Sequence, residues 1–100
     1  MLLVLWEYRV KPGHAEEFEA LYRPDGVWTE LLRQSPAFLS TTLWHDRRDP
    51  ARYVVADRWT SEVMYEEFMR ERADDIAALN ERASRTRTRE VPLGRFDLRE

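Results

Sequence analysis

The distribution of apolar and polar residues predicts three β-strands in the first sixty positions. Leu2–Val10 opens with apolar side chains at every position, which is typical of a strand covered on both faces. Phe38–His45 presents alternate side chains to opposite faces, and Arg52–Trp59 is rich in β-branched and aromatic residues. The turn-forming sequence Lys11-Pro12-Gly13 ends the first strand, and the charged stretch from Asp46 to Pro50 predicts a hairpin loop between the other two.

A helical period of apolar residues predicts two connections between strands. Residues 14–22 carry apolar side chains at spacings of three and four, and the same period resumes over residues 27–32. We therefore expect one helical connection that is kinked or broken near Pro24. A second helix is predicted over about residues 61–83, with Asp74 and Asp75 loosening it midway.

The last predicted element is a short strand over residues 91–98, where Pro92 and Gly94 suit only the edge of a sheet. The resulting order βαββαβ is the ferredoxin-like arrangement of the α+β class, with an antiparallel sheet and helices on one face. It forms one domain over residues 1–100, with the first and third strands at the centre of the sheet.

Two helices can cover only one face of such a sheet. Strands that are apolar on both faces therefore imply a second cover, most simply the sheet of a second copy in a homodimer. The alternative is that some of these apolar residues are simply exposed, which is common on protein surfaces.

Composition and charge narrow the classes of function. The chain has 100 residues, 43% of them hydrophobic, and no cysteine, which excludes disulfides, thiolate nucleophiles and cysteine-ligated metal sites. The net charge of −3 lacks the basic excess that nucleic-acid binding requires. The first apolar run has no basic flank and ends at Glu7, so we expect neither a signal peptide nor a membrane span, and a cytoplasmic location is the default.

Three candidate site residues lie where the third strand meets the following helix. Trp59 ends the strand and Tyr65 lies about one turn into the helix, so both can border one cavity. Asp57 shares the strand face of Trp59. If Asp57 is buried it needs a polar partner, which would make it either a structural hydrogen-bonding group or a proton acceptor. We name all three as candidate catalytic residues.

Several other polar residues could be functional, but each is also explained as an ordinary solvent-exposed side chain. His45 borders the charged loop, where a salt-bridged surface histidine is favoured over a general base. His14 lacks a third metal ligand, so no metal site is expected. Arg85, Arg87 and Arg89 would line one face of an extended segment, and we interpret that face as solvated rather than as an anion site.

Five short motifs together resemble the antibiotic biosynthesis monooxygenase (ABM) superfamily of dimeric α/β-barrel proteins. They are Ser35-Pro36-Ala37-Phe38-Leu39, Asp49-Pro50-x-Arg52-Tyr53, Asp57-Arg58-Trp59-x-Ser61, Tyr65-x-x-Phe68 and Glu90-x-x-Leu93-Gly94-x-Phe96. The resemblance spans nearly the whole chain, and the trailing Leu-Gly-x-Phe is most similar to an uncharacterised subgroup. It implies two ferredoxin-like subunits packed sheet against sheet, each with its own pocket. Enzymes of this kind oxygenate electron-rich aromatics such as phenols or quinols without flavin, haem or metal.

The resemblance carries over only in part at the level of residues. Trp59 and Tyr65 match the spacing of the members that modify polyketides, but Val55 stands where those members have an asparagine. The strand-one asparagine and helical histidine of the haem-degrading members are absent. The expected function is a cofactor-independent monooxygenase acting on a small aromatic or quinol-like substrate. The alternative is a non-catalytic dimeric module of the same fold that binds a small molecule or has a structural role.

Overall fold

A computed structural model describes all 100 residues and contains eight helices and strands. In chain order they are β1 (Leu2–Val10), α1 (Ala15–Tyr22), α2 (Val27–Leu32), β2 (Phe38–His45), β3 (Arg52–Trp59), α3 (Glu62–Glu71), α4 (Ala73–Ser84) and β4 (Arg87–Asp97). The bounds of the first three strands agree with the sequence prediction. None of the helices is long and apolar enough to cross a membrane.

The four strands form one antiparallel sheet in the order β2-β3-β1-β4, so β1 and β3 are central as predicted. The fold is therefore ferredoxin-like, and β4 lies at an edge. Pro92 lies opposite Trp6, next to a register shift that follows Leu5. β4 is longer than predicted and begins at Arg87 rather than at residue 91, because its polar first residues still pair with the end of β1, where Arg87 lies opposite Val10.

Each of the two helical connections consists of two helices, α1 and α2 in the first and α3 and α4 in the second. The break between α1 and α2 lies near Pro24, as predicted, and Gly26 is required there because an added Cβ would come within 2.7–2.9 Å of three carbonyl oxygens. The break between α3 and α4 lies at Arg72, so the prediction of a loosened turn at Asp74 and Asp75 was wrong. These two aspartates instead occupy the first turn of α4, where the helix dipole favours negative charge.

The N-terminus of α3 is fixed by its own capping residue. The Ser61 hydroxyl accepts a hydrogen bond from the Met64 backbone N–H at 3.1 Å, which satisfies one of the free donors of the first turn. The helix buries Tyr65 and Phe68 against the sheet, while Met64 is exposed. Capping therefore sets the rotation of α3 that places Tyr65 on the inner side.

The face of the sheet that the helices leave uncovered carries an apolar patch, with charged side chains beside it. Trp44 is 59% exposed beside Val54, and Phe96 is 45% exposed beside Leu3. Leu5, on the same face of the central strand β1, lies opposite the small residues of both neighbouring strands. We call this surface the outer face. Apolar patches of this kind are typical of interaction surfaces.

Candidate functional site

A cavity of about 400 Å³ lies between the sheet and the helices. Of the 15 residues that line it, 11 are hydrophobic. The cavity is therefore suited to a mostly apolar ligand, because such a ligand loses few hydrogen bonds to water when it enters. The sheet contributes Trp6, Tyr8, Thr41, Val55, Asp57 and Glu90. The helices contribute, among others, Tyr22, Trp28, Tyr65, Met69, Ala77 and Asn80.

Asp57 brings a carboxyl group into this apolar cavity. It lies on β3, half-buried, and one of its oxygens accepts a hydrogen bond of 2.5 Å from the Thr41 hydroxyl of β2. Burial raises the pKa of Asp57 to about 6, and the Thr41 hydrogen bond only partly offsets that effect. A carboxyl group that titrates near neutral pH can take a proton from a bound ligand and release it again. The partner that the sequence required for a buried Asp57 is thus Thr41.

Tyr65 lines the cavity close to Asp57 and is held on both sides. The edge of its ring meets Trp59 at a centroid distance of 5.1 Å, and the Arg95 guanidinium lies 4.9 Å from the ring centroid. Arg95 is itself bound by Glu62 and Glu66 of α3. Burial raises the pKa of Tyr65 while the charge of Arg95 opposes the rise, so the phenol stays protonated at neutral pH and can act as a hydrogen-bond donor.

Trp59 does not line the cavity. It is fully buried (0% exposed) and packs against Phe38, Tyr65 and Phe68. Its indole N–H is buried without a hydrogen-bond partner. The structure thus brings Asp57 and Tyr65 to the cavity wall and places Trp59 behind Tyr65, where it can fix the position of the phenol but does not meet a ligand.

A second polar cluster lies around Arg87, and sequence reasoning missed it. Arg87 is only 8% exposed, so the interpretation of its arginine-rich stretch as a solvated face was wrong for this residue, although Arg85 and Arg89 are exposed. Its guanidinium donates to the Tyr22 hydroxyl oxygen at 2.6 Å and to Asn80 Oδ1 at 2.7 Å. The alternation of arginine and threonine did not distinguish Arg87 because the start of β4 was misplaced.

Neither histidine lies at the cavity. The His45 ring stacks on Tyr53 at 4.1 Å, and its Nε2 is 2.9 Å from the Pro50 carbonyl oxygen, so the predicted salt bridge to the charged loop was wrong. His14 lies 3.5 Å from Glu17 at the start of α1. No group of three histidine, cysteine, aspartate or glutamate side chains in the structure is arranged to bind a metal ion.

Comparison with solved structures shows where this fold recurs. The crystal structure of an antibiotic biosynthesis monooxygenase has a TM-score of 0.74 and 21% identity, with all of both chains covered. SnoaB, a cofactor-independent oxygenase from Streptomyces nogalater, has a TM-score of 0.77 and 18% identity over 99% of this chain and 93% of SnoaB. A conserved protein from Methanosarcina mazei Go1 has a TM-score of 0.70 and 14% identity, covering 95% and 89% of the two chains. At these identities the likeness establishes the fold alone.

Comparison with protein sequences establishes the family. No curated protein matches the chain. The family model described as antibiotic biosynthesis monooxygenase matches residues 1–74, which span β1 to the start of α4 and include Asp57, Thr41 and Tyr65. Since that match covers well over half of the 100 residues, the chain belongs to the antibiotic biosynthesis monooxygenase family.

Proposed function

We propose that the protein is a cofactor-independent monooxygenase that acts on a small aromatic, quinol-like substrate in the cavity. The observation that carries this proposal is the Asp57 carboxyl group, which titrates near neutral pH inside a cavity whose walls are otherwise mostly apolar. Such a carboxylate is suited to remove a proton from a bound phenol or from an acidic C–H group. The family and the fold shared with a cofactor-independent oxygenase support the same reaction class.

The chemistry requires only the substrate and dioxygen. Asp57 takes a proton, and the electron-rich anion that remains reduces dioxygen directly, so the substrate supplies the electrons. For a substrate CH₂ group the balance is CH₂ plus O₂ giving C=O plus H₂O. Tyr65 would donate a hydrogen bond to an oxygen of the reacting group, and Trp59 would hold Tyr65 in place.

A non-catalytic binding module is the second candidate. Val55 lines the cavity at the position where oxygenating relatives of known chemistry carry an asparagine, and its side chain cannot bond to a substrate oxygen. On this alternative the cavity would hold a small apolar molecule without turnover. A cytoplasmic location stays a prediction from the sequence in either case.

Oxygen consumption separates the two candidates. With 1,4-dihydroxynaphthalene and anthrone as probes, we expect the protein to raise oxygen uptake above the rate of spontaneous oxidation in buffer. Ala77 is exposed yet lines the cavity, so it lies at the mouth, and Ala77→Trp should reduce the catalysed rate at least tenfold by blocking entry. Ala78→Trp, one position along α4 and outside the cavity, is the matched control. Uptake no faster than in buffer for every probe would favour the binding module.

We further propose that two copies associate through the outer face to form a homodimer. Leu5 stands at the centre of this face between Ala56 and Gly94, so Leu5→Arg should place a charge in the contact and yield monomers. Light scattering should give twice the chain mass of 12.0 kDa for the wild type and the single mass for the variant. Val63→Arg, at a 68% exposed apolar position on α3, should leave the mass doubled. A wild type of single mass at micromolar concentration would contradict the proposal.

A further inference from the structure

Two carboxyl groups line the cavity, and only one of them has a positively charged partner. Glu90 lies 3.5 Å from the guanidinium of Arg87. Asp57 takes part in none of the ion pairs of the chain, and the one hydrogen bond that its side chain accepts comes from the neutral Thr41 hydroxyl. At pH 7 most molecules therefore hold a carboxylate in the cavity wall whose charge the protein does not neutralise.

The arginine at the same level of the sheet, Arg95, does not supply the missing positive charge. Asp57 and Arg95 lie opposite Val4 on its two sides, so two strand spacings, about 10 Å, separate their backbones. The Arg95 guanidinium is bound by Glu62 at 3.2 Å and by Glu66 at 2.9 Å. These two carboxylates outweigh its single charge, so this end of the cavity has an excess of negative charge around it.

Aromatic side chains form much of the wall around this carboxylate. Trp6 lies opposite Val55, two positions from Asp57 along β3, which makes it a diagonal neighbour of Asp57 at about 7–8 Å, within reach of a large side chain. The negative charge of Asp57 acts on the Tyr65 phenol and contributes to its raised pKa, so these two groups are also close. Five aromatic residues line the cavity in all: Trp6, Tyr8, Tyr22, Trp28 and Tyr65. Aromatic rings attract a cation that lies over their faces, and tryptophan does so most strongly.

The free energy of desolvation favours a cationic ligand at this place. Burying an ion pair ordinarily requires that both charges lose their water. Here the fold has already removed water from Asp57, as its raised pKa shows, so only the incoming cation has water to lose. The carboxylate and the aromatic rings then replace that water. An anion would be repelled by Asp57, and a neutral ligand would leave the buried charge unpaired.

We propose that the cavity binds a protonated amine on a flat aromatic body, with the ammonium group paired to Asp57 and the rings against the aromatic wall. Such amines are regulators of the proposed oxygenase, and in this respect the inference rests on the proposed function. An ammonium group paired to Asp57 engages the general base while the aromatic body fills the cavity, so the amine competes with the quinol substrate. The binding itself requires neither dioxygen nor turnover.

A matched pair of ligands tests the ion pair by calorimetry. 1-Naphthylmethylamine is a cation at pH 7.5, and 1-naphthalenemethanol is a neutral molecule of nearly the same shape. We expect the amine to bind about tenfold more tightly, which is the range for one hydrogen bond to a charged group. Asp57→Asn should remove this preference by weakening the amine, while the affinity for the alcohol stays within about twofold. Asp97→Asn, at an exposed aspartate outside the cavity, should leave the preference unchanged.

The pH dependence provides a readout that a purely apolar site would not give. The amine stays protonated between pH 5 and pH 7.5, whereas Asp57 gains a proton as the pH falls through about 6. Of the groups beside Asp57, Thr41 and Val4 do not ionise and the Tyr65 phenol keeps its proton. Affinity for the amine should therefore fall about tenfold from pH 7.5 to pH 5, with the alcohol unaffected. At pH 5 binding should release about one proton, measured as heat in buffers of different ionisation enthalpy, and Asp57→Asn should release none.

Inhibition of oxygen uptake tests the regulatory part of the inference. In initial rates with 1,4-dihydroxynaphthalene, 1-naphthylmethylamine should raise the apparent KM and leave kcat unchanged, and the alcohol should need about a tenfold higher concentration for the same effect. Equal affinities of the two ligands, a preference that survives Asp57→Asn, or no saturable binding of the amine would overturn the inference, while uptake without inhibitor still decides the oxygenase. A preference that depends on Asp57 in a protein that consumes no oxygen would instead refute the oxygenase and leave the amine site standing.

Discussion

Asp57→Asn should reduce the catalysed rate of oxygen uptake at least a hundredfold and at the same time make the protein more stable at pH 7. The loss of rate follows from removing the general base, since such groups contribute about 10²–10⁴-fold. The gain in stability follows from the high pKa of Asp57, because the folded protein at pH 7 holds a carboxylate that its surroundings disfavour. Asparagine is neutral and still accepts the Thr41 hydrogen bond. We expect the free energy of unfolding to rise by about 1–2 kcal/mol.

The pH dependence of both quantities has a definite sign. The folded protein holds the Asp57 proton up to about pH 6, while the unfolded chain releases it near the ordinary value of 3.8. Between these values the folded state binds more protons, so this group makes the wild type more stable as the pH falls from about 6 to about 4. The rate has the opposite dependence, because only the deprotonated carboxylate accepts a proton, and kcat/KM should rise with pH through about 6.

Urea denaturation at pH 7 and pH 4.5, together with oxygen uptake between pH 5 and pH 8, measures these effects. Asp97→Asn, at an exposed aspartate near the end of β4, should change neither stability nor rate. If Asp57→Asn retained the wild-type rate, Asp57 would not be the base. If it lowered the stability at pH 7, the carboxylate would be a stabilising structural group, which is the other role that the sequence left open.

The sequence predicted the sheet well because its signals are local. Runs of apolar and β-branched residues set the bounds of β1, β2 and β3, and the fully apolar opening of β1 predicted its central place in the sheet. The break at Arg72 was missed because the surrounding residues all tolerate a helix, and nothing near it resembles the proline and glycine that divide α1 from α2. The start of β4 was missed because its polar residues are positioned by pairing with β1 rather than by burial.

In the candidate site, too, the sequence predicted the placement of residues close together in the chain and missed contacts between residues far apart in it. Asp57 and Tyr65 could be placed near one cavity from the sequence because they lie on one strand and the helix that follows it, and both line the cavity. Trp59, named with them, lies behind the cavity wall, since spacing along the chain does not tell which of two neighbouring aromatics lines the cavity. The hydrogen bond between Arg87 and Tyr22 joins residues 65 positions apart, and no periodicity in one sequence reports such a contact.

Arg87→Met should lower the free energy of unfolding by about 2–3 kcal/mol, which is the range for losing hydrogen bonds to a buried charged group. Methionine retains the apolar stem, but it leaves the Tyr22 oxygen and Asn80 Oδ1 without their donor. The guanidinium also lies 5.3 Å from the centroid of the Tyr8 ring, and that attraction is lost too. The substitution also removes the ion-pair partner of Glu90, which lies 3.5 Å from the guanidinium, so the loss of charge brings no compensating gain.

Thermal denaturation provides the comparison, since a loss of this size should lower Tm by about 10–20 °C in a domain of this length. Arg85→Met removes an exposed arginine two positions earlier and should change the stability by less than about 0.5 kcal/mol. Equal small effects of the two substitutions would mean that Arg87 is solvated in solution and does not hold Tyr22 and Asn80. A large effect of Arg87→Met alone would show that the buried cluster of Arg87, Tyr22 and Asn80 is built into the fold and holds the start of β4 against α1 and α4.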